Sequence, residues 1–213
     1  MSRRLTCDPA RLDSRVILDV VRALEDDLTV VMPTETQYAL SIRADRENAP
    51  EKIGRIKKRS GVVPAAVFVK DIQMAELFCE VSDTARRLAA RFLPGPLTLV
   101  LSARAGQRAV AAGFASEDGF GIRISSSPLV AALMAKTPFP VTATSANISG
   151  EISPATVNEI AKVLGDDVDL YVDGGPCRGV VPSTVLKVTD TVSVLRHGAI
   201  PEAEIRRFLK EGR

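Results

Sequence analysis

The sequence predicts an α/β fold, a single domain with a twisted mixed sheet flanked by helices, and three observations carry that prediction. Apolar positions recurring every three or four residues alternate with short β-branched runs along the whole chain. They do so without the strict strand–helix–strand rhythm of a purely parallel, doubly wound sheet. The 213 residues, 46% of them hydrophobic, suffice for one large core, and no linker, repeat or low-complexity tract divides 1–213.

The elements follow in order. From Asp8 to Asp26, Leu12, Val16, Ile17, Val20, Val21 and Leu24 form an apolar stripe, with Pro9 suited to a first helical turn. Leu28 to Met32 reads as a buried strand halted by Pro33, opening into the polar loop "TETQY" at the kind of strand end where open α/β sheets place ligands. "DRENAPEKIGRIKKRS" is helical, with Ile53 and Ile56 inward and a basic tail at its carboxyl end. "PAAVFV" is a strand, and helical patterns occupy Ile72 to Cys79 and Thr84 to Phe92. The turn in "LPGPLTLVLSA" launches the next strand, and "GFGIRIS" is a strand bearing Arg123. A short helix covers Pro128 to Ala135, and after "PVTATSANISGE" another runs from Pro154 to Leu164 with Ser153 as its N-cap. "DLYVDGG" is a strand and turn. "STVLKVTDTVSVLRHG" is two antiparallel strands joined near Thr189 to Thr191, and a last helix spans about Pro201 to Lys210.

Composition excludes several classes. The 28 basic and 26 acidic residues nearly cancel, so bulk charge announces no nucleic-acid binder, although "RIKKR" (Arg55 to Arg59) is a local basic cluster. Cys7, Cys79 and Cys177 form no C-x-x-C pair, which predicts neither a disulfide framework nor a metal site and favours a reducing, cytoplasmic setting. No stretch approaches the ~20 consecutive apolar residues of a membrane span, and the amino terminus lacks a secretory pattern. Phosphate-loop, dinucleotide-fingerprint, nucleophile-elbow and H-E-x-x-H signatures are all missing. The one histidine, His197, has no local partner and reads as an exposed or capping residue.

What remains is a set of polar and basic groups at loops and strand ends: "PTETQY", "KKR", "GIR", "TSANISGEISP", "PST" and "LRHG". Such a set lacks an evident acid or base but suits chemistry that works by positioning and charge neutralisation, as phosphoryl and nucleotidyl transfer largely do. Singly, each has a bland reading. Lys57 and Arg59 solvate a helix end, Ser145, Asn147 and Ser149 bond their own backbone, and Arg123 is either an edge charge or an inward arginine that needs an anionic partner.

Together these segments, in order over nearly the whole chain, resemble the YrdC-like family of threonylcarbamoyl-AMP synthases. The family's "PTDT-x-YGL" appears as "PTETQYAL" (Pro33 to Leu40) and its "IKGR" as "IKKR" (Ile56 to Arg59). "PGPLT" is intact at Pro94 to Thr98, the Arg-bearing strand matches "GIRI", and "TSAN-x-SG" stands at Thr144 to Gly150. "STV" falls at Ser183 to Val185 and "LR-x-G" at Leu195 to Gly198. The resemblance implies a mixed sheet around a large open cavity, related in architecture to dihydroxybutanone-phosphate synthase. It implies condensation of L-threonine, bicarbonate and ATP to threonylcarbamoyl-AMP and pyrophosphate, for threonylcarbamoylation of tRNA adenosine-37. Residue by residue, it makes Lys57, Arg59, Ser145 and Asn147 the catalytic tetrad on the triphosphate, with Mg2+ carried by the ATP phosphates. Ser153 and Arg196 join the ATP site, and Thr34, Arg123, Ala143 and Ser183 the L-threonine site, with Arg123 forking the carboxylate. Implied partners are tRNA or double-stranded RNA and tRNA-modification proteins.

The chain departs from the family pattern at Ala39, Ser60 and Ser125, which stand for glycine, proline and proline, and at Phe68, where a histidine often sits near threonine. Two alternatives therefore stand beside the synthase: a nucleotide- or RNA-binding module without turnover, and a carbamoyl-adenylate enzyme with a different acceptor.

Overall fold

The computed structural model describes residues 2–59, 64–104, 113–116, 118–177 and 181–211. Ser60, one of the departures above, lies outside them. The expected mixed sheet is present, but hydrogen bonding divides it into two. In the five-stranded sheet the order is β1 (Arg3–Thr6), β9 (Leu170–Asp173), β2 (Val30–Met32), β3 (Ala39–Ser41) and β8 (Thr144–Ser145). In the six-stranded sheet it is β11 (Val192–Arg196), β10 (Thr184–Val188), β5 (Leu97–Leu101), β6 (Phe120–Arg123), β4 (Val67–Phe68) and β7 (Val141–Thr142). Both mix parallel pairs, such as β1 with β9 and β10 with β5, with antiparallel ones, such as β2 with β3 and β5 with β6.

Helix α1 (Ser14–Glu25) buries Val16, Ile17, Val20, Val21 and Leu24, the stripe seen in the sequence. It starts later than Asp8, because Asp13 caps it by accepting from the Arg15 amide, while Asp8 and Arg11 bridge in a preceding turn. Helix α2 (Ala49–Ile56) ends where Lys58 takes a left-handed φ of 50° and the Arg59 amide returns to the Gly54 carbonyl at 2.9 Å. Helices α3 (Ile72–Ala75), α4 (Asp83–Phe92), α5 (Pro128–Met134) and α7 (Glu202–Glu211) fall within a few residues of expectation, the first stopping short of Cys79. Strands β10 and β11 are antiparallel, as their sequence indicated.

One expected cap is corrected. Helix α6 (Val157–Leu164) is capped by Thr156, not Ser153: the Thr156 hydroxyl accepts from the Glu159 amide and the Glu159 carboxylate accepts from the Thr156 amide. This reciprocal box satisfies two orphan donors of the first turn, which one serine cannot do.

The segment from Val141 to Ser145 joins the sheets. Its first half pairs with β4 and its second half with β3. At the crossing the Thr142 hydroxyl accepts from the Ile42 amide at 3.0 Å and donates to the Leu40 carbonyl at 3.2 Å, while the Ala143 amide donates to Ala66 at 2.7 Å. The polar run in "PVTATSAN" is thus the place where one chain segment changes sheet.

Candidate active site

Three of the four tetrad residues, Lys57, Ser145 and Asn147, are hydrogen-bonded to one another, while Arg59 lines neither of the cavities described below. Lys57 sits at the carboxyl end of α2, 5% exposed, and its ammonium donates to the Ser145 carbonyl (2.6 Å), the Asn147 carbonyl (2.9 Å) and Asn147 Oδ1 (2.9 Å). Those three oxygens use all three donors of an ammonium. The Ser145 hydroxyl donates to the same Asn147 Oδ1 at 2.6 Å, and the Ser149 amide returns to the Lys57 carbonyl at 3.0 Å. Lys57 is therefore the peg on which the loop after β8 hangs. Burial, and secondarily the charge of Arg59, push its pKa down to about 8. Arg59 is exposed beside it, with no ion pair among the described residues.

Arg123 ends β6, 6% exposed, with Phe68 as its neighbour on β4 and the Phe68 ring 5.6 Å from its guanidinium. Its Nη2 donates to Glu35 Oε1 at 2.7 Å and to Thr36 Oγ1 at 2.7 Å. Nε is buried with no partner among the described residues. Glu35 Oε2 accepts from the Ser125 hydroxyl, which in turn accepts from the Ser127 amide at 3.1 Å. Burial raises the Glu35 pKa, but the Arg123 charge and the hydrogen bonds from Ser125 and Arg123 outweigh it, holding the carboxyl below its ordinary value. The anionic partner an inward arginine needs is thus internal.

Strand ends of the second sheet supply the rest. Ser183, just before β10, is buried, and its Oγ lies 2.9 Å from Thr98 Oγ1 on β5. Arg196, at the end of β11, donates from Nε and Nη2 to the Ser183 carbonyl at 3.2 and 3.0 Å and from Nη2 to its hydroxyl at 3.1 Å. Burial and then the charge of Arg123 lower the Arg196 pKa. No carboxylate pairs with Arg196 among the described residues.

These groups surround an open cavity of about 270 Å³ whose walls include Thr36, Arg123, Ala143, Ser145, Ser183 and Arg196. Of the sequence-predicted residues, Ala143, Ser145, Arg123, Ser183 and Arg196 line it, and Lys57 and Asn147 lie directly behind Ser145. Thr34 does not line it. Its hydroxyl donates to the Gln37 carbonyl at 2.6 Å, closing the loop, and its other face borders a second cavity of about 480 Å³ with Glu35, Ser126, Ser127, Cys7 and Cys177. Ser153 lines neither. Phe68 is fully buried beneath Arg123 and does not form the cavity wall. His197 is exposed, 3.7 Å from Glu202. Sequence reasoning missed Glu35, Thr36, Thr98 and Ser125; the one available signal was the unpaired charge of Arg123. Among the described residues no group of three or more His, Cys, Asp or Glu side chains is placed to hold a metal ion, and no helix is long and apolar enough to cross a membrane.

Comparison with known proteins agrees with this architecture. A Methanocaldococcus jannaschii relative is 37% identical over 179 residues, covering 84% of this chain and 83% of the relative. The threonylcarbamoyl-AMP synthase of Bacillus subtilis is 36% identical over 197 residues, covering 91% of this chain and 56% of the relative, so this chain spans little more than half of that protein. The crystal structure of Pyrococcus abyssi Sua5 complexed with L-threonine superposes with a TM-score of 0.89 at 30% identity, covering 99% of this chain and 62% of that one. The Sua5/YciO/YrdC family model, described as telomere recombination, matches residues 22–198. With that match over most of its length, and with the strand-end arginines and the sheet-crossing segment in one cavity wall and the Lys57 peg behind it, the chain belongs to the Sua5/YciO/YrdC family.

Proposed function

We propose that this chain is an L-threonylcarbamoyladenylate synthase, a nucleotidyltransferase that condenses L-threonine, bicarbonate and ATP to threonylcarbamoyl-AMP and pyrophosphate. The observation that carries the reading is the convergence on one cavity of Arg123, Ser183 and Arg196 with Ser145, itself fastened to Lys57 and Asn147. Arg196, with no carboxylate partner among the described residues, and the exposed Arg59 supply positive charge for phosphates. Arg123 supplies it for the amino-acid carboxylate. Mg2+ enters on the triphosphate as part of the substrate. Threonine's amine attacks bicarbonate, water leaves as the carbamate forms, and a carbamate oxygen displaces pyrophosphate from the α-phosphorus. Negative charge develops on oxygen at the carbamate carbon and at the α-phosphorus, so preoriented cations and amides are the groups those steps need, while the amine nitrogen, positive once it has attacked, gives its proton to solvent base or bicarbonate. The adenylate is then the donor for tRNA adenosine-37, with tRNA and the modification proteins as partners in a cytoplasmic setting.

Incubation with ATP, Mg2+, bicarbonate and radiolabelled L-threonine is expected to yield a labelled adenylate and stoichiometric pyrophosphate. No product beside an active control enzyme rejects the reading, and ATP binding without pyrophosphate release leaves a nucleotide-binding module. Phe68 favours a second reading, because a buried phenyl ring cannot donate a hydrogen bond to an acceptor's hydroxyl. A panel of amino acids in the same pyrophosphate assay decides it: preference for an acceptor other than threonine establishes that second reading.

A further inference from the structure

A guanidinium can grip a carboxylate with two parallel bonds along either of two edges, Nε with Nη2 or Nη1 with Nη2. Nη2 belongs to both edges and has two hydrogens. In this protein both are engaged, one by Glu35 Oε1 and one by Thr36 Oγ1, each at 2.7 Å. No two-bonded edge of Arg123 is therefore open in this structure, although Arg123 lines the cavity and its buried Nε has no partner among the described residues. A fork on the ligand's carboxylate, the grip expected from the sequence, requires one of those acceptors to leave.

The geometry points to Glu35 as an internal carboxylate that the ligand's carboxylate displaces from Arg123, so that amino-acid recognition is an exchange of one anion for another. This inference rests on the amino-acid reading of the cavity given above. Glu35 is the acceptor that can move. Its side chain is 14% exposed against 7% for that of Arg123, and it borders the second cavity, about 480 Å³, on the far side of the loop. The Ser125 hydroxyl holds Oε2, the oxygen that Arg123 does not bind, through a residue that stands where the family pattern has proline. A carboxylate rotated away from Arg123 thus keeps a donor and enters open space. Thr36, by contrast, is 3% exposed and its oxygen is tied to Thr34, 3.1 Å away.

The exchange makes Glu35 a determinant of affinity. Its charge opposes entry of a second carboxylate, and the pair it forms with Arg123 must open before the ligand is held. Replacing a charged acceptor with a neutral one of the same shape weakens the internal bond by about half while leaving the arginine in place. Calorimetric titration of L-threonine is therefore expected to show Glu35→Gln binding roughly tenfold more tightly than wild type, a difference of about 1.4 kcal/mol. L-threoninamide, which lacks the carboxylate, is expected to show no such gain. Glu35→Gln also leaves a buried cation less well compensated in the empty protein, so its melting temperature without ligand is expected to fall and its ligand-induced rise to exceed that of wild type.

Should Glu35→Gln not fold, Glu35→Asp keeps the charge but shortens the reach by one methylene, and it too is expected to bind L-threonine more tightly. Equal or weaker threonine binding by the folded variant overturns the exchange, and a gain that threoninamide shares equally does so as well. Either outcome leaves the wild type's own binding and turnover intact, so the functional reading stands. A wild type that binds no threonine overturns that reading and this inference with it.

Discussion

Lys57 shows how a single residue can shape a whole loop. Its three donors bind three protein oxygens of the segment Ser145 to Asn147, so its first task is to shape the loop. Lys57→Met, of similar length but without donors, takes from the Asn147 carbonyl its ammonium partner and leaves the Ser145 carbonyl and Asn147 Oδ1 with only their local donors, and is expected to cost about 2 kcal/mol in urea unfolding. The pH dependence has a definite sign. With its pKa pushed down to about 8 in the folded protein, against 10.5 for an ordinary lysine, the unfolded chain holds more protons between those values. The contribution of Lys57 to stability therefore rises as pH is raised from about 8 to 10.5, and the gap between wild type and Lys57→Met should widen over that window. A gap that narrows contradicts the assignment. The sequence placed Lys57, Ser145 and Asn147 together through their resemblance to a family pattern, but not the direction of the bonds. It also signalled that Arg123 needed an anion, while the anion, Glu35, lies 88 positions away, a pairing that only the tertiary fold creates.

At the scale of elements, two turns set the positions of Arg59 and Arg196. The reversal after α2 needs a left-handed residue, and Lys58 occupies it at φ 50°, where the family pattern has glycine. A side chain there costs about 1 kcal/mol, part of which glycine returns through the greater freedom of its unfolded chain. Lys58→Gly is expected to raise stability by about 0.5 kcal/mol and the melting temperature by about 1–2 °C. An unchanged or lower melting temperature refutes the argument. The second turn follows β11, where Gly198 lies so close to the start of β10 that a Cβ would come within 2.4 Å of Ser183 C and Thr184 N. Both are backbone atoms, so nothing can yield by rotating. Gly198→Ala is expected to cost about 1–3 kcal/mol and to separate Arg196 from the Ser183 carbonyl, raising the KM for ATP. Wild-type stability and KM in that variant argue against the contact. Long periodic elements such as α1 and the β10–β11 pair were legible in the sequence, whereas β3, β7 and β8, of two or three residues each, are too short for any period. The cap of α6 was legible in principle, since Thr156 and Glu159 have the spacing of a capping box, but Ser153 before Pro154 resembled a helix start more closely.

At the scale of the molecule, the two sheets cohere because one segment belongs to both. Thr142 is fully buried at the crossing, and its hydroxyl accepts from the Ile42 amide and donates to the Leu40 carbonyl, while its own carbonyl accepts from the Ser41 hydroxyl at 2.9 Å. The cavity opens beside this junction, with Ala143 and Ser145 in its wall, so the junction sets the distance between the Lys57 side of the site and Arg123. Thr142→Val keeps the shape and β-branching but removes the hydroxyl, leaving one buried amide and one buried carbonyl without that partner. The expected loss is about 2–4 kcal/mol, several times that of an ordinary surface substitution. Because both sheets lean on the same hydroxyl, wild type and variant should each unfold in one transition, seen at the same urea concentration by tyrosine fluorescence and by far-ultraviolet circular dichroism. Tyr38 and Tyr171 both report from the five-stranded side, whereas circular dichroism reports from every element. Separation of the two curves in the variant would mean that the sheets fold as independent units and that the crossing merely connects them. Coincident curves at lower urea, with weaker threonine binding, are the outcome the junction predicts.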